Sequence, residues 1–211
     1  MRGHTRQWGK VTDRPIVAFD FDGTLTVRDS FNAFLAWRVS APRFAAGLAR
    51  LAPALAGYAL NRDRGRLKSA AIKEFLAGRT PDEIGAEASE FCEMVWAKFM
   101  RPDALQAWDA WKGRGATMVI VTASPAITVE PFARRLDADV LLGTRLKLDA
   151  AGRIAGPLAG ENCRAAEKVM RLRERFGDDV RLAAAFGDTG GDTEMLAIAQ
   201  EPGYRVFKAR P

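Results

Sequence analysis

Short apolar runs closed by small or acidic residues recur along the chain. Pro15-Ile16-Val17-Ala18-Phe19 ends in Asp20-Phe21-Asp22-Gly23-Thr24, and Thr117-Met118-Val119-Ile120-Val121-Thr122 ends in Ala123-Ser124-Pro125. A third run, from Val180 to Phe186, ends in Gly187-Asp188-Thr189-Gly190-Gly191-Asp192. Apolarity that is continuous rather than alternating predicts strands buried on both faces, as in a parallel sheet. Helical spacing fills the stretches between, notably 103–113 before the second run and 163–176 before the third. Strands alternating with helices predict an α/β fold, a three-layer Rossmann-like parallel sheet. Ligands bind such sheets outside the carboxyl ends of the strands, where all three runs deliver hydroxylic or acidic residues.

The pattern changes over 30–101, which is rich in Ala, Leu, Arg and Phe at helical spacing with little strand signal. Thr80-Pro81-Asp82-Glu83 reads as an N-cap, a proline in the first helical turn and acidic residues beside the helix N-terminus. The chain is therefore expected to divide into a discontinuous catalytic core, 14–29 with 102–211, a helical cap over 30–101, and a loose N-terminal tail over 1–13. Thr144–Asp149 and Arg153–Leu158 flank Gly152 and suggest a hairpin. Within 41–60, Leu48, Leu51, Leu55 and Tyr58 form an apolar stripe interrupted by Arg43 and Arg50, with a kink expected at Pro53. That is too broken for a membrane span. The basic stretch Asn61–Lys68 follows it, so 41–68 is compatible with peripheral contact to an anionic membrane surface and with an ordinary packed helix, the commoner fate of an apolar stripe.

Composition narrows the chemistry. The formal charge of +6 over 211 residues favours anionic partners: phosphate esters, lipid surfaces or nucleic acid. No nucleic-acid-binding motif is present, and no nucleic acid is expected as partner. His4 is the single histidine, which argues against a Ser-His-Asp triad, a histidine phosphoenzyme and the common His-ligated metal sites. No G-x-S-x-G elbow or Walker A loop occurs. Cys92 and Cys163 fit neither a disulfide framework nor a zinc spacing, so a reducing, cytoplasmic setting is expected, peripheral to the inner face of the membrane if 41–68 touches lipid. The basic start is followed by no apolar segment and does not read as a signal peptide. Carboxylates, hydroxyls and lysines must carry any reaction.

Two carboxylates close together at a strand end can divide their tasks, one meeting a cation while the other serves a different one; Gly23 permits the sharp exit turn. Asp20-Phe21-Asp22-Gly23-Thr24-Leu25-Thr26 resembles the first motif of the haloacid dehalogenase superfamily of phosphohydrolases. Thr122 matches the strand-end hydroxyl of that family's second motif, Lys168 the lysine of the third, and Gly187-Asp188 with Asp192 the acidic fourth. The resemblance runs from Arg14 onward. It implies a Mg²⁺-dependent phosphomonoester hydrolase in which Asp20 attacks phosphorus to form an aspartyl-phosphate. Asp22 would act as general acid and then base, and Thr122 with backbone N–H groups of Ala123 and Ser124 would hold phosphoryl oxygens. Lys168 would neutralise charge, and Asp192 would orient Lys168 or a metal-bound water. The implied metal ligands are the Asp20 side chain, the Asp22 carbonyl and Asp188, with Gly23 and Thr24 supporting.

A helical insertion directly after the first motif resembles the cap of the subclass that includes phosphoserine phosphatase and small bacterial phosphatases of phosphatidylglycerophosphate. The expected partner is thus a phosphorylated small molecule or a lipid phosphate. Against the phosphoserine pattern, only Asp29 can stand for the glutamate that meets the substrate amine. Arg62 and Arg66 are candidates for a cap cation reading the leaving group, with Arg64 and Lys73 nearby. A phosphotransferase passing the phosphoryl group to an alcohol and a non-catalytic binding module are the competing readings; intact Asp20 and Asp22 argue against the second.

Overall fold

The computed structural model describes residues 14–61 and 63–211; the tail expected over 1–13, with His4, and the candidate Arg62 lie outside the described residues. Strand β1 (Ile16–Phe19) leads into helices α1 (Ser30–Arg38), α2 (Ala41–Arg50), α3 (Ala52–Asn61), α4 (Arg64–Phe75) and α5 (Pro81–Phe99). Helix α6 (Pro102–Gly113), β2 (Thr117–Pro125), α7 (Ala126–Arg135) and β3 (Val140–Thr144) follow, then a hairpin of β4 (Leu146–Leu148) and β5 (Ile154–Leu158). The chain continues through α8 (Ala166–Phe176), β6 (Leu182–Gly187), α9 (Thr193–Ala197) and β7 (Ala199–Tyr204).

Five strands form one parallel sheet in the order β3-β2-β1-β6-β7. The sequence is legible in this: Val17, Ala18 and Phe19 of β1 and Met118–Val121 of β2 are all fully buried, as strands covered on both faces require. Because β1 lies between β2 and β6, with Ala18 level with Val119 and Ala185, the three acidic or hydroxylic closures emerge side by side at one sheet edge. Strands β3 and β7 had no sequence signal. The latter, Ala-Gln-Glu-Pro-Gly-Tyr, is a largely exposed edge strand, where alternation fades and proline is tolerated.

The five inserted helices leave and rejoin the sheet through adjacent segments. Val27 donates to the Phe99 carbonyl at 2.8 Å, Arg101 to that of Leu25 at 2.9 Å, and Thr26 bridges Met100. Helix α5 starts with the expected cap: Thr80 accepts from the Glu83 N–H while Glu83 accepts from the Thr80 N–H. Apolar residues of the inserted helices (Phe34, Ile72, Ile84, Phe91) and of the sheet and its helices (Phe19, Phe21, Trp108, Phe132) belong to one buried cluster.

The 41–60 stripe resolves into two helices rather than one kinked one. The break is at Leu51, two residues before Pro53, because proline in the first turn of a new helix loses no backbone bond, whereas further along it would clash with the preceding turn. Of the stripe only Leu51 is buried; Leu48 and Leu55 are 44% and 43% exposed, and no residue of α3 is buried. Among the described residues no helix is long and apolar enough to cross a membrane.

Candidate active site

Asp20 follows directly on the buried end of β1, its N–H donating to the Phe186 carbonyl at 2.8 Å, and is itself buried. Its Oδ1 accepts from the Lys168 ammonium at 2.5 Å. The same ammonium donates to the Val121 carbonyl at 2.6 Å and to Asp192 Oδ1 at 2.7 Å. All three lysine donors are therefore used by groups from three different strand ends, in a place where Lys168 is 1% exposed. Arg164, Arg171 and Arg173 share its stretch, but Arg171 is spent on Glu167 and on the carbonyls of Gly143 and Glu161. Asp192 uses its other oxygen to accept from the N–H groups of Asp188 and Thr189 and from the Thr189 hydroxyl. Its side chain does not cap α9.

Burial pushes Asp20 up to about 7 against the pull of Lys168, with Asp192 and Asp22 repelling its charge. Burial also raises Asp188, helped by repulsion from Asp192. Asp192 is held below the usual range despite its burial, by Lys168 and the Thr189 donors. Lys168 is held above the ordinary lysine value despite desolvation, because two carboxylates face it.

Beside this buried trio the chain makes a second acidic contact. The Thr24 hydroxyl lies 3.3 Å from Asp20 Oδ2 and 3.4 Å from Asp188 Oδ1. A hydroxyl has one hydrogen, so two carboxylates share a single donor and retain unfilled lone pairs. Oxygens of Asp20, Asp188 and Asp192 all lie within 4.8 Å of one another. Gly23 makes room for this: it has φ +90°, and a Cβ there would fall 2.3 Å from Asp188 Oδ2. An all-oxygen, anionic donor set fits a hard divalent cation such as Mg²⁺. Asp192 already accepts from Lys168, two N–H groups and the Thr189 hydroxyl, which makes Asp20 and Asp188 the better-placed side chains for a cation.

Asp22 faces away from that cluster. Its Oδ1 accepts from the N–H and hydroxyl of Ser30, both at 2.6 Å, and its Oδ2 from the Ser124 hydroxyl at 2.5 Å. Thr122 is wholly buried and accepts from the Ser124 N–H at 3.0 Å, which leaves its own hydrogen available to donate. Asp20, Asp22, Ala123, Ser124, Lys168 and Asp188 line a cavity of about 630 Å³ whose opposite wall comes from α1, α3 and α4.

The cap candidates divide. Asp29 lines the cavity and accepts from the Asn32 N–H at 2.7 Å as the N-cap of α1; burial and the nearby Asp22 raise it. Arg66 does not reach the cavity: its side chain is 81% exposed and lies 4.0 Å from Asp63. Arg64, Lys68 and Ala71 line it instead, at helical steps of four and three, and a residue two positions from Arg64 must point elsewhere. Lys73 packs against Gly156 of β5. Lys68 donates to the Ala123 carbonyl and, at 3.1 Å, to Asn162 Oδ1. Burial lowers it to about 8 against the pull of Asp22 and Asp29. The periodicity of 64–75 could have singled out Lys68; nothing local could have placed Ser30 on Asp22 or Asn162 beside Lys68. Residues 163–165, read as the start of α8, are loop, with Ala165 at φ 55°, and the helix begins at Ala166.

A family model described as haloacid dehalogenase-like hydrolase matches residues 17–197. Protein CicA of Caulobacter vibrioides is 58% identical over 204 residues, covering 96% of this chain and 91% of that protein. Among solved structures, a protein with unknown function from Bordetella pertussis Tohama I is 24% identical with a TM-score of 0.73, covering 90% of this chain and 89% of its own. An apo phosphoserine phosphatase is 17% identical with a TM-score of 0.57, covering 91% and 86%. These two structures share the fold.

Proposed function

The chain belongs to the haloacid dehalogenase-like hydrolases, and from that membership we propose that it is a Mg²⁺-dependent phosphomonoester hydrolase with Asp20 as nucleophile. The observation that carries this reading is the Asp20 carboxylate itself: one oxygen fixed on Lys168, the other facing Asp188 across one shared hydroxyl. Asp20 and Asp188 side chains, with the Asp22 carbonyl, would hold the cation. When bound it supplies charge neutralisation between an anionic nucleophile and an anionic phosphate.

An Asp20 oxygen attacks phosphorus, the bond from phosphorus to the leaving oxygen breaks, and Asp22 gives that oxygen its proton. Water then attacks phosphorus of the aspartyl-phosphate, Asp22 takes its proton, and inorganic phosphate leaves while Asp20 is restored. Ser30 and Ser124 orient Asp22 for both transfers. Thr122 and the N–H of Ala123 cradle phosphoryl oxygens, while the Ser124 N–H is taken by the Thr122 hydroxyl, and Lys168 offsets charge on Asp20 as it is consumed. Phosphate release from p-nitrophenyl phosphate should require added Mg²⁺ and stop in EDTA; turnover undiminished by EDTA would remove the metal from the reading.

The cavity wall on α4 supports a leaving group read by Lys68. A lysine whose two bonds go to uncharged acceptors retains charge and a hydrogen for an anion on the substrate. Lys68→Met should raise KM about tenfold or more, as expected for one lost charge-assisted bond, with less effect on kcat. An unchanged KM would leave Lys68 as a purely structural contact between α4 and β2.

A lipid phosphate is the second reading, favoured by one observation. Helix α3 exposes Leu55 and, at 89%, Leu60, while Tyr58 of the same helix lines the cavity. Side by side, micellar phosphatidylglycerophosphate should then be hydrolysed in preference to phosphoserine. The reverse preference would make α3 an ordinary cap helix and leave Asp29 and Lys68 as the selectivity residues.

A further inference from the structure

The two loops that carry the candidate cation ligands are intrinsically loose. One turns on Gly23, and the other is Gly187-Asp188-Thr189-Gly190-Gly191, so both lose more backbone entropy than most sequences on adopting one conformation. They also repel, since three carboxylates approach within 4.8 Å. Something other than their own sequence must hold them in register.

The segment after β7 meets both. It crosses the carboxyl edge of the sheet, and Phe207 packs beneath the two loops, its ring centroid 6.2 Å from that of Phe19 and 5.2 Å from that of Phe186. Those phenylalanines lie at the carboxyl ends of β1 and β6, next to Asp20 and Gly187. Two arginines then complete the connection. Arg205 donates through its backbone to the Gly187 carbonyl at 2.8 Å and through Nε to the Asp188 carbonyl at 2.7 Å. Arg101, at the start of α6 and on the cavity wall, donates through Nε to the Gly23 carbonyl at 3.2 Å and through Nη1 to the Ala209 carbonyl at 3.0 Å. The far end is pinned by Asp103, whose Oδ2 accepts from the N–H groups of Lys208 at 2.6 Å and Ala209 at 2.9 Å. Those backbone donors hold Asp103 below the usual carboxylate range in spite of its partial burial.

We propose that Arg101 and Arg205, tied together by the segment Arg205–Pro211 and its anchor Asp103, are positioning residues that set the distance between the Asp20–Gly23 and Gly187–Asp188 loops and thereby the affinity for the divalent cation. Neither arginine offers a ligand atom to a cation. Each acts through a backbone carbonyl of a loop that does, much as groups behind a ligand fix its aim. The proposal rests on the cation site of the preceding section.

Calorimetric titration of the full chain with MgCl₂, without substrate, tests it. Arg101→Met should raise the Mg²⁺ Kd about tenfold or more, the range seen when groups behind metal ligands are lost. Asp103→Asn and Arg205→Met should move it in the same direction by less. At saturating Mg²⁺, KM of Asp103→Asn and Arg205→Met for p-nitrophenyl phosphate should stay within about twofold of wild type, since neither residue lines the cavity. Arg101→Lys, which keeps the charge but loses the planar fork that spans two carbonyls, should fall between wild type and Arg101→Met. An Mg²⁺ Kd unchanged in Arg101→Met, Asp103→Asn and Arg205→Met alike overturns the proposal, as does a KM that rises while the Kd stays fixed. If Arg101→Met does not fold, Asp103→Asn and Arg205→Met decide on the same two numbers. Wild-type protein that binds no Mg²⁺, or binds it undiminished after Asp188→Asn, overturns the cation site itself and this proposal with it.

Discussion

Asp20→Asn should reduce phosphate release by at least about 10³-fold, because the amide cannot form the aspartyl-phosphate and no second carboxylate occupies its position. The same substitution should leave the metal-free protein at pH 8 no less stable than wild type, and this pairing separates a nucleophile from a structural ion. Asp20 is buried among Asp192 and Asp22, and its carboxyl is pushed up to about 7 in the fold from an ordinary 3.8. A group raised in this way binds its proton more tightly folded than unfolded, so its contribution to stability is fully present below about pH 4 and is lost as pH rises toward 7. At pH 8 in EDTA the wild-type fold therefore carries an ionised Asp20 that it disfavours, which asparagine removes while its Oδ1 can still accept from Lys168. Thermal melts in EDTA at pH 5 and pH 8 measure this: Tm of the variant relative to wild type should be higher at pH 8 than at pH 5. A variant that is inactive and also strongly destabilised at pH 8 would point to Asp20 as mainly a partner of Lys168. Turnover close to wild type would dismiss the aspartyl-phosphate altogether.

How far such a site can be read from sequence depends on where each residue's partner lies. Asp20, Thr122 and Asp188 were legible because each closes an apolar run, and parallel strands deliver their carboxyl ends to one edge. The cap of α5 was legible because its two partners are three residues apart. Choosing Lys168 over its neighbouring arginines required the family resemblance, since all lie on one basic stretch; only packing shows that Arg171 is spent on Glu167 and two carbonyls while Lys168 enters the acidic trio. Arg66 was among the named cap cations and Lys68 was not, although the helical step that puts Arg64 on the cavity puts Lys68 there too and sends Arg66 to solvent. The links from Ser30 to Asp22, from Arg101 to Gly23 and Ala209, and from Arg205 to Asp188 join segments with no local pattern. The first depends on the entry angle of α1, and the others on a terminal segment whose exposed, polar character resembles any loop. Edge strand β7 stayed hidden for a related reason: it pairs only with β6, so its residues need not be apolar.

Lys168→Met should abolish turnover and destabilise the fold by about 3–5 kcal/mol at pH 8, the scale expected when one member of a buried ion pair is removed and the rest stay behind. Its ammonium satisfies Asp20, Asp192 and the Val121 carbonyl in a site that is 1% exposed. Methionine of similar length leaves two carboxylates buried against each other without a cation. Asp192, now held low by Lys168, would lose that support, and both carboxyls would sit above their unfolded values. Raised acids contribute stability that falls as pH climbs, so the variant should recover part of the loss at about pH 5, where one carboxyl can keep its proton. Wild type should gain less between pH 8 and pH 5, because there Asp20 is raised into that window while Asp192 is held low and Lys168 stays charged throughout it. Urea denaturation at the two pH values measures both terms. A destabilisation equal at pH 5 and pH 8 would mean that lost packing, rather than unpaired carboxylates, sets the effect. The double variant Lys168→Met with Asp192→Asn sharpens the distinction: deleting one stranded carboxylate should restore stability at pH 8 while leaving the enzyme inactive. Recovery of stability without activity is the signature of a lysine that both neutralises the nucleophile and holds the two acidic strand ends together, and it is why no neutral residue of similar length can take its place.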